Sequence, residues 1–150
     1  MKVWLPAIKR GAVCVGVLLA FVAAAGAIQL VTEEEAARPD DPAEWRGGPT
    51  PGPEIVVVSP ALSGLIKSPF HLKIRFKAYG RTAIDRDSIA ITYRKIPAID
   101  VTQRIKAFIL GDGIDIADAE LPTGTHPFRI RVKDDRGRSG TLFFKIGVAK

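Results

Sequence analysis

Residues 54–150 predict an all-β fold: two antiparallel sheets packed face to face, with one short crossover helix. Three observations carry that prediction. Short segments rich in β-branched and aromatic residues recur along the chain, several alternate apolar and polar residues with period two, and Pro, Gly, Asp or Ser bound them at regular spacing. Each alternating segment has one apolar face, and such faces are covered most simply by a second sheet.

The chain of 150 residues divides by composition into three zones. In the first, residues 1–31, Lys2, Lys9 and Arg10 precede the stretch "GAVCVGVLLAFVAAAGAI", which has no charge over residues 11–28. A positive flank, an apolar core and a small-residue tract make an export signal, with Ala25-Gly26-Ala27 as an Ala-x-Ala cleavage site. The competing reading is a retained apolar helix that anchors the chain in the membrane through residues 11–31, with Lys9 and Arg10 left in the cytoplasm. Either way the rest of the chain is expected outside the cytoplasm, in the periplasm or cell envelope, or secreted after cleavage. Cys14 is the sole cysteine and lies inside the apolar run, so no disulfide is expected in the exported part. Val13 precedes it and the run continues beyond it, which argues against lipidation.

The second zone, residues 32–53, "TEEEAARPDDPAEWRGGPTPGP", has five prolines and six acidic residues against two basic ones. It reads as a disordered acidic tether, with Trp45 as its one large apolar residue. From residue 54 onward the balance reverses, with 17 Lys and Arg against 10 Asp and Glu. A cationic domain on an anionic tether can fold back on itself or meet an anionic surface.

Within the third zone, "EIVVVS" is the first strand. In "FHLKIRFKAY", residues Phe70, Leu72, Ile74, Phe76 and Ala78 share one face. "SIAITYRK" follows. "IDVTQRIKAFILGDG" places Val101, Ile105, Phe108 and Ile109 at helical spacing, with Asp100 and Gln103 as a capping box and Gly111 as a stop; "VTQRI" also tolerates a strand. "GIDIADAEL" changes phase between Ile114/Ile116 and Ala119/Leu121, which predicts a bulge. In "HPFRIRVKD", Phe128, Ile130 and Val132 face inward, and "DRGR" joins it to "SGTLFFKIGV" through a hairpin at Gly137.

The order "PEIVVVSPALSGLIKSPFHLKIRF", "DRDSIAITY", "ELPTGTHPFRIRVKDDRGRSGTLFFKIGV", with Ser59-Pro60, Ser68-Pro69, "LPTGTH" and Asp134-x-x-Gly137, resembles the bacterial immunoglobulin-like domains of envelope and surface proteins over residues 53–148. The Cys-Trp-Cys pattern of antibody domains is absent, since no Cys or Trp follows Trp45. The resemblance implies a fold and an envelope setting, and names no ligand.

Little in the exported part suggests catalysis. His71 and His126 are its two histidines, and neither has a partner at motif spacing. "GDGIDIA" with Asp112, Asp115, Asp118 and Glu120 is a single copy of a pattern that needs stacked copies to surround calcium. Asp134 and Asp135 read as turn-capping residues. No enzyme activity, metal or cofactor is expected.

The outward cations form two stripes, which the immunoglobulin-like topology implied by the resemblance would set on different sheets with the neighbours that follow. His71, Lys73, Arg75, Lys77 and Tyr79 point outward on one sheet, where Asp115, Asp118 and Glu120 of the neighbouring strand can neutralise them. On the other sheet Arg129, Arg131 and Lys133 lie between Thr92 and Arg94 on one side and Thr141, Phe143 and Lys145 on the other, with no acid in the expected register. Thr92, Arg94, Arg129, Arg131, Lys133, Phe143 and Lys145 are therefore the candidate ligand-binding face. Its expected partner is an anionic glycan, a lipid headgroup or an acidic protein; export makes nucleic acid an unexpected partner. Two other readings stand beside it: the tether's own "TEEE" and "DD" occupy the patch, or the domain is a spacer whose charges only solvate it. The sequence sets no oligomeric state.

Overall fold

The structure, a computed structural model, describes residues 26–43 and 50–150. The apolar run up to residue 25, and Trp45 within residues 44–49, lie outside the described residues. The elements in chain order are β1 (Ile28–Gln29), α1 (Glu33–Ala36), β2 (Glu54–Ser59), β3 (Leu65–Ile66), β4 (Phe70–Lys77), β5 (Ile84–Tyr93), β6 (Ile99–Asp100), α2 (Thr102–Ile105), β7 (Ile109–Leu110), β8 (Gly113–Glu120), β9 (Gly124–Asp134) and β10 (Ser139–Val148). They form two sheets, ordered β1-β8-β4-β2 with β7 also on β8, and β3-β10-β9-β5-β6.

The core lies between the sheets, as the alternation requires. Leu72, Ile74 and Phe76 of β4 and Ile114 and Ile116 of β8 face Ile91 and Tyr93 of β5, Phe128, Ile130 and Val132 of β9, and Phe144, Ile146 and Val148 of β10, all buried. The phase change expected in β8 is present: Phe70 pairs with Ala119 but Leu72 with Ile116, so β8 bulges by one residue there and turns Ala119 and Leu121 inward. β9 and β10 pair continuously from Gly124↔Val148 to Lys133↔Ser139, closed by a turn in which Gly137 has φ 76°. Buried Asp134 holds that turn. One carboxylate oxygen accepts from the Arg136 and Arg138 amides at 3.0 and 2.9 Å, and the other from Arg138 Nε at 2.7 Å. Burial alone would raise its pKa, but these donors outweigh it and hold the carboxyl below its ordinary value.

The crossover is shorter than its sequence pattern suggests. α2 makes one turn, a 3₁₀ turn follows over Lys106–Phe108, and the chain is extended again at Ile109. β8 offers a free edge there, and Ile109–Leu110 pair with Ile114 and Gly113 instead of continuing the helix to Gly111. The expected capping box is absent too: Asp100 Oδ1 accepts from the Thr102 amide at 2.8 Å, and no side chain caps α2.

The larger correction concerns the segment read as a disordered tether. Its described parts, residues 32–43 and 50–53, pack onto the sandwich, as do residues 28–31 before them. β1 runs parallel to β8, with Ile28 opposite Ala119 and Gln29 opposite Glu120. Leu30 and Val31, 3% and 0% exposed, then close one end of the core. Thr32 and Glu35 form a full capping box around α1, with the Glu35 amide donating to Thr32 Oγ1 at 3.2 Å and the Thr32 amide to Glu35 Oε2 at 2.9 Å. From Pro39 to Asp41 the chain lies against Arg94–Ile96: the Ile96 amide donates to the Pro39 carbonyl at 2.9 Å and Asp40 bridges to Lys95. Composition misleads because two apolar residues and three acids suffice to fix this strap. At the other end of the sandwich, Gly52 and Pro53 press against Ser139 and Gly140 so closely that a methyl on Gly140 would overlap the Pro53 carbonyl. The described residues from Ile28 on thus pack with the sandwich, ahead of the boundary at residue 54 that composition suggests.

Candidate anion-binding face

β9 is the centre strand of the second sheet, with β10 and β5 on its flanks, the neighbours that the resemblance implied. Arg129 stands between Phe143 and Thr92, Arg131 between Thr141 and Ala90, and Lys133 beside Ser139. Arg129, Arg131, Lys133 and Lys145 are exposed; Thr92 and Phe143 are half-buried. Arg129 and Arg131 have no ion-pair partner among the described residues.

Arg94 departs from the expected role. Only 5% exposed, it donates from Nη2 to Asp41 Oδ2 at 2.6 Å and to the Ala43 carbonyl at 3.2 Å. Its guanidinium lies 5.1 Å from the centre of the Phe143 ring, so Phe143 supports an arginine covered by the strap. The Asp41 carboxyl is held below its ordinary pKa, first by the Ala43 amide and then by Arg94, with a smaller contribution from Arg129.

The face is also not free of acid. Besides Asp41, a register shift in β5 between Asp85 and Ala90 sets Asp85 opposite Lys133, and β6 sets Asp100 opposite Thr92 in the row of Arg129. Strand registers read from β5 alone miss both, since one enters through a bulge and the other through a two-residue strand. What remains is a cationic centre at Arg129 and Arg131 inside an acidic rim.

Two cations outside the expected face hold the strap. Lys95, 6% exposed, places Nζ 2.6 Å from Asp40 Oδ1 and 5.4 Å from the Tyr93 ring centre. Arg104 of α2 donates to both Glu35 carboxylate oxygens, at 2.7 and 2.6 Å, and to the Leu30 carbonyl at 2.8 Å. Of the two acidic runs in the strap, "DD" therefore meets the edge of the candidate face, whereas "TEEE" is held through Glu35 by Arg104. The signal that could have found these partners is the charge excess of opposite sign in the two zones.

On the first sheet, Asp115 meets His71 Nε2 at 2.6 Å and Lys73 Nζ at 3.3 Å. The hydrogen bond from His71, then Lys73, keeps its carboxyl below the ordinary range. Arg75 stands opposite Gly113, and Asp118 lies at the far end of β8 near β1, so β8 pairs its acids only with His71 and Lys73, while Glu54 of β2 stands opposite Lys77 and accepts from Tyr79 at 3.1 Å.

His126 is buried. Its Nε2 lies 2.7 Å from the Pro122 carbonyl, which can only accept, so Nε2 carries the hydrogen. Nδ1, 3.0 Å from Tyr93 Oη, then accepts the phenol proton. Burial first of all lowers the imidazole pKa and raises that of the phenol. An open groove between β5 and α2, lined by Ile84, Asp85, Ile89, Thr102, Gln103 and Lys106, contains none of Asp112, Asp115 or His126. Among the described residues no group of three or more His, Cys, Asp or Glu side chains is placed to hold a metal ion.

No family model, curated protein or solved structure matches the chain.

Proposed function

We propose that this is an exported, non-enzymatic, immunoglobulin-like module of the cell envelope. Its basic sheet face binds an anionic envelope component: a glycan, a lipid headgroup or an acidic protein. The observation that carries the reading is the pair Arg129 and Arg131, both exposed on successive outward positions of the central strand, with no ion-pair partner among the described residues. Guanidinium groups suit carboxylate and phosphate alike, because their planar donors match two oxygens at once. Asp41 on Arg94 is an internal instance of the same chemistry at the edge of the face. Thr92, Lys133 and Lys145 would flank a ligand, whereas Arg94 and Phe143 shape the border beneath the strap.

The test is retention of the full chain on anionic-lipid vesicles, an acidic polysaccharide and a polyglutamate peptide at physiological salt, with Arg129→Glu/Arg131→Glu alongside. Saturable binding to one probe, lost in the variant at an unchanged melting temperature, supports the proposal. Equal retention of both proteins, or retention only at low salt on every anion, overturns it.

A second reading, a spacer or assembly domain, is favoured by a different observation. Val56, Val58, Leu62 and Leu65 are exposed along β2, β3 and the loop between them, at the margin of both sheets. Contacts made there would survive high salt, unlike a screened ionic contact.

A further inference from the structure

Whether residues 11–28 are a leader that is removed or an anchor that is retained is open in the sequence, and β1 bears on the choice. Ile28 and Gln29 form a parallel strand on β8, and the next amide, of Leu30, donates to the Glu120 carbonyl at 3.0 Å. Leu30 and Val31 follow directly into the core. None of these four residues is available to a membrane helix while the sandwich is folded. Gly26 and Ala27 before them are not helical. The uncharged residues that remain, 11–25, are fewer than the roughly 17–25 apolar residues that a spanning segment needs. They instead match the apolar core of a cleavable leader, roughly 7–15 residues long.

We infer that the chain is cut between Ala27 and Ile28 by a signal peptidase, so that the mature protein begins with the first residue of β1. Ala25 and Ala27 supply the small side chains such an enzyme requires. The step is a hydrolysis. Water adds its hydroxyl to the Ala27 carbonyl carbon, the carbon–nitrogen bond breaks, and the nitrogen of Ile28 takes the proton. It precedes folding, since the scissile bond borders a strand that is paired in the finished sandwich.

Cleavage leaves the fold intact. The pairing of Ile28 with Ala119, in register with the bond from Leu30 to Glu120, sets the Ile28 nitrogen against the Asp118 carbonyl. The new ammonium keeps a hydrogen for that carbonyl, on a strand that carries the acidic side chains of Asp118 and Glu120. Cleavage one residue later would remove the first paired residue of β1.

This inference rests on the export reading but not on the basic face. The experiment is expression of the full chain, tagged at its C-terminus, in a bacterium with a general secretory system, followed by intact mass and N-terminal sequencing of envelope and medium fractions. Ile28 as the first residue, with the uncut precursor accumulating in Ala25→Arg, is the expected result. An exported chain that retains its N-terminus, or that starts at another residue, overturns the cleavage inference and leaves export standing. A chain confined to the cytoplasm overturns both. Anion binding plays no part in the readout.

Discussion

Glu35 and Arg104 are 69 residues apart in sequence and meet through two parallel hydrogen bonds, of 2.7 and 2.6 Å. Arg104 also holds the Leu30 carbonyl, so this pair ties the strap to the crossover at the point where Leu30 and Val31 enter the core. The contact with Arg104 is the main reason the Glu35 carboxyl is lowered from 4.5 to about 2.

Linkage gives the sign of the pH effect. The unfolded chain binds a proton at Glu35 more tightly than the folded one, so this contribution is full above pH 4.5 and lost as pH falls toward 2. Urea unfolding at pH 7 and pH 3 should show Arg104→Ala destabilised by about 1–3 kcal/mol at pH 7 and by less at pH 3. An equal penalty at both pH values would mean that the ion pair is not what holds the strap.

The strap is integral to the fold. Leu30→Ala should cost about 2–5 kcal/mol, the usual range for a buried leucine that leaves a cavity. A chain that starts at Glu54, lacking β1 and both core residues of the strap, should show no cooperative unfolding transition and poor amide dispersion by NMR. A truncated chain with native dispersion would return residues 32–43 to the status of a tether.

Gly140 is needed for the close approach of Pro53. Gly140→Ala places a methyl on the Pro53 carbonyl and should lower stability by about 1–3 kcal/mol, typical of overpacking. Gly111→Ala, with nothing within 4 Å of the new methyl, is the control and should stay within about 0.5 kcal/mol of the parent. Comparable melting curves for the two variants would argue against the close contact.

His126 makes stability fall on mild acidification. Its folded pKa is lowered from 6.5, chiefly by burial, so the unfolded chain takes up a proton that the folded one resists. Stability should decline as pH drops below about 6.5, through the interval between the unfolded and folded values. In His126→Gln this part of the decline should vanish, which melting temperatures at half-unit steps from pH 7.5 to 5 would reveal. An unaltered slope would show that the imidazole is not the titrating group.

Much of the sandwich is legible in sequence because strand faces are a local property. The inward residues of β4 and β9, the bulge in β8 and the hairpin that joins β9 to β10 at Gly137 all follow from alternation and turn residues, whereas the place of β5 beside β9 was only implied by the resemblance. Local pattern alone does not decide where the helical spacing of 101–111 ends, since the free edge of β8 competes for Ile109 and Leu110. The candidate face was legible only as a list of outward positions. Which of them stay accessible depends on residues distant in sequence: Asp41 covers Arg94, while Asp85 and Asp100 arrive through a bulge and a two-residue strand.

The sequence by itself determined the layered all-β architecture and the outward position of each cation along its own strand, because period-two alternation fixes which side of a strand each residue takes. Only the tertiary structure decided that the described parts of an acidic, proline-rich segment pack onto the fold. Its composition predicts disorder as long as the segment is considered alone. Its order comes from a pocket for Leu30 and Val31 and from Arg104, Lys95 and Arg94, which only the assembled sheets and crossover bring within reach.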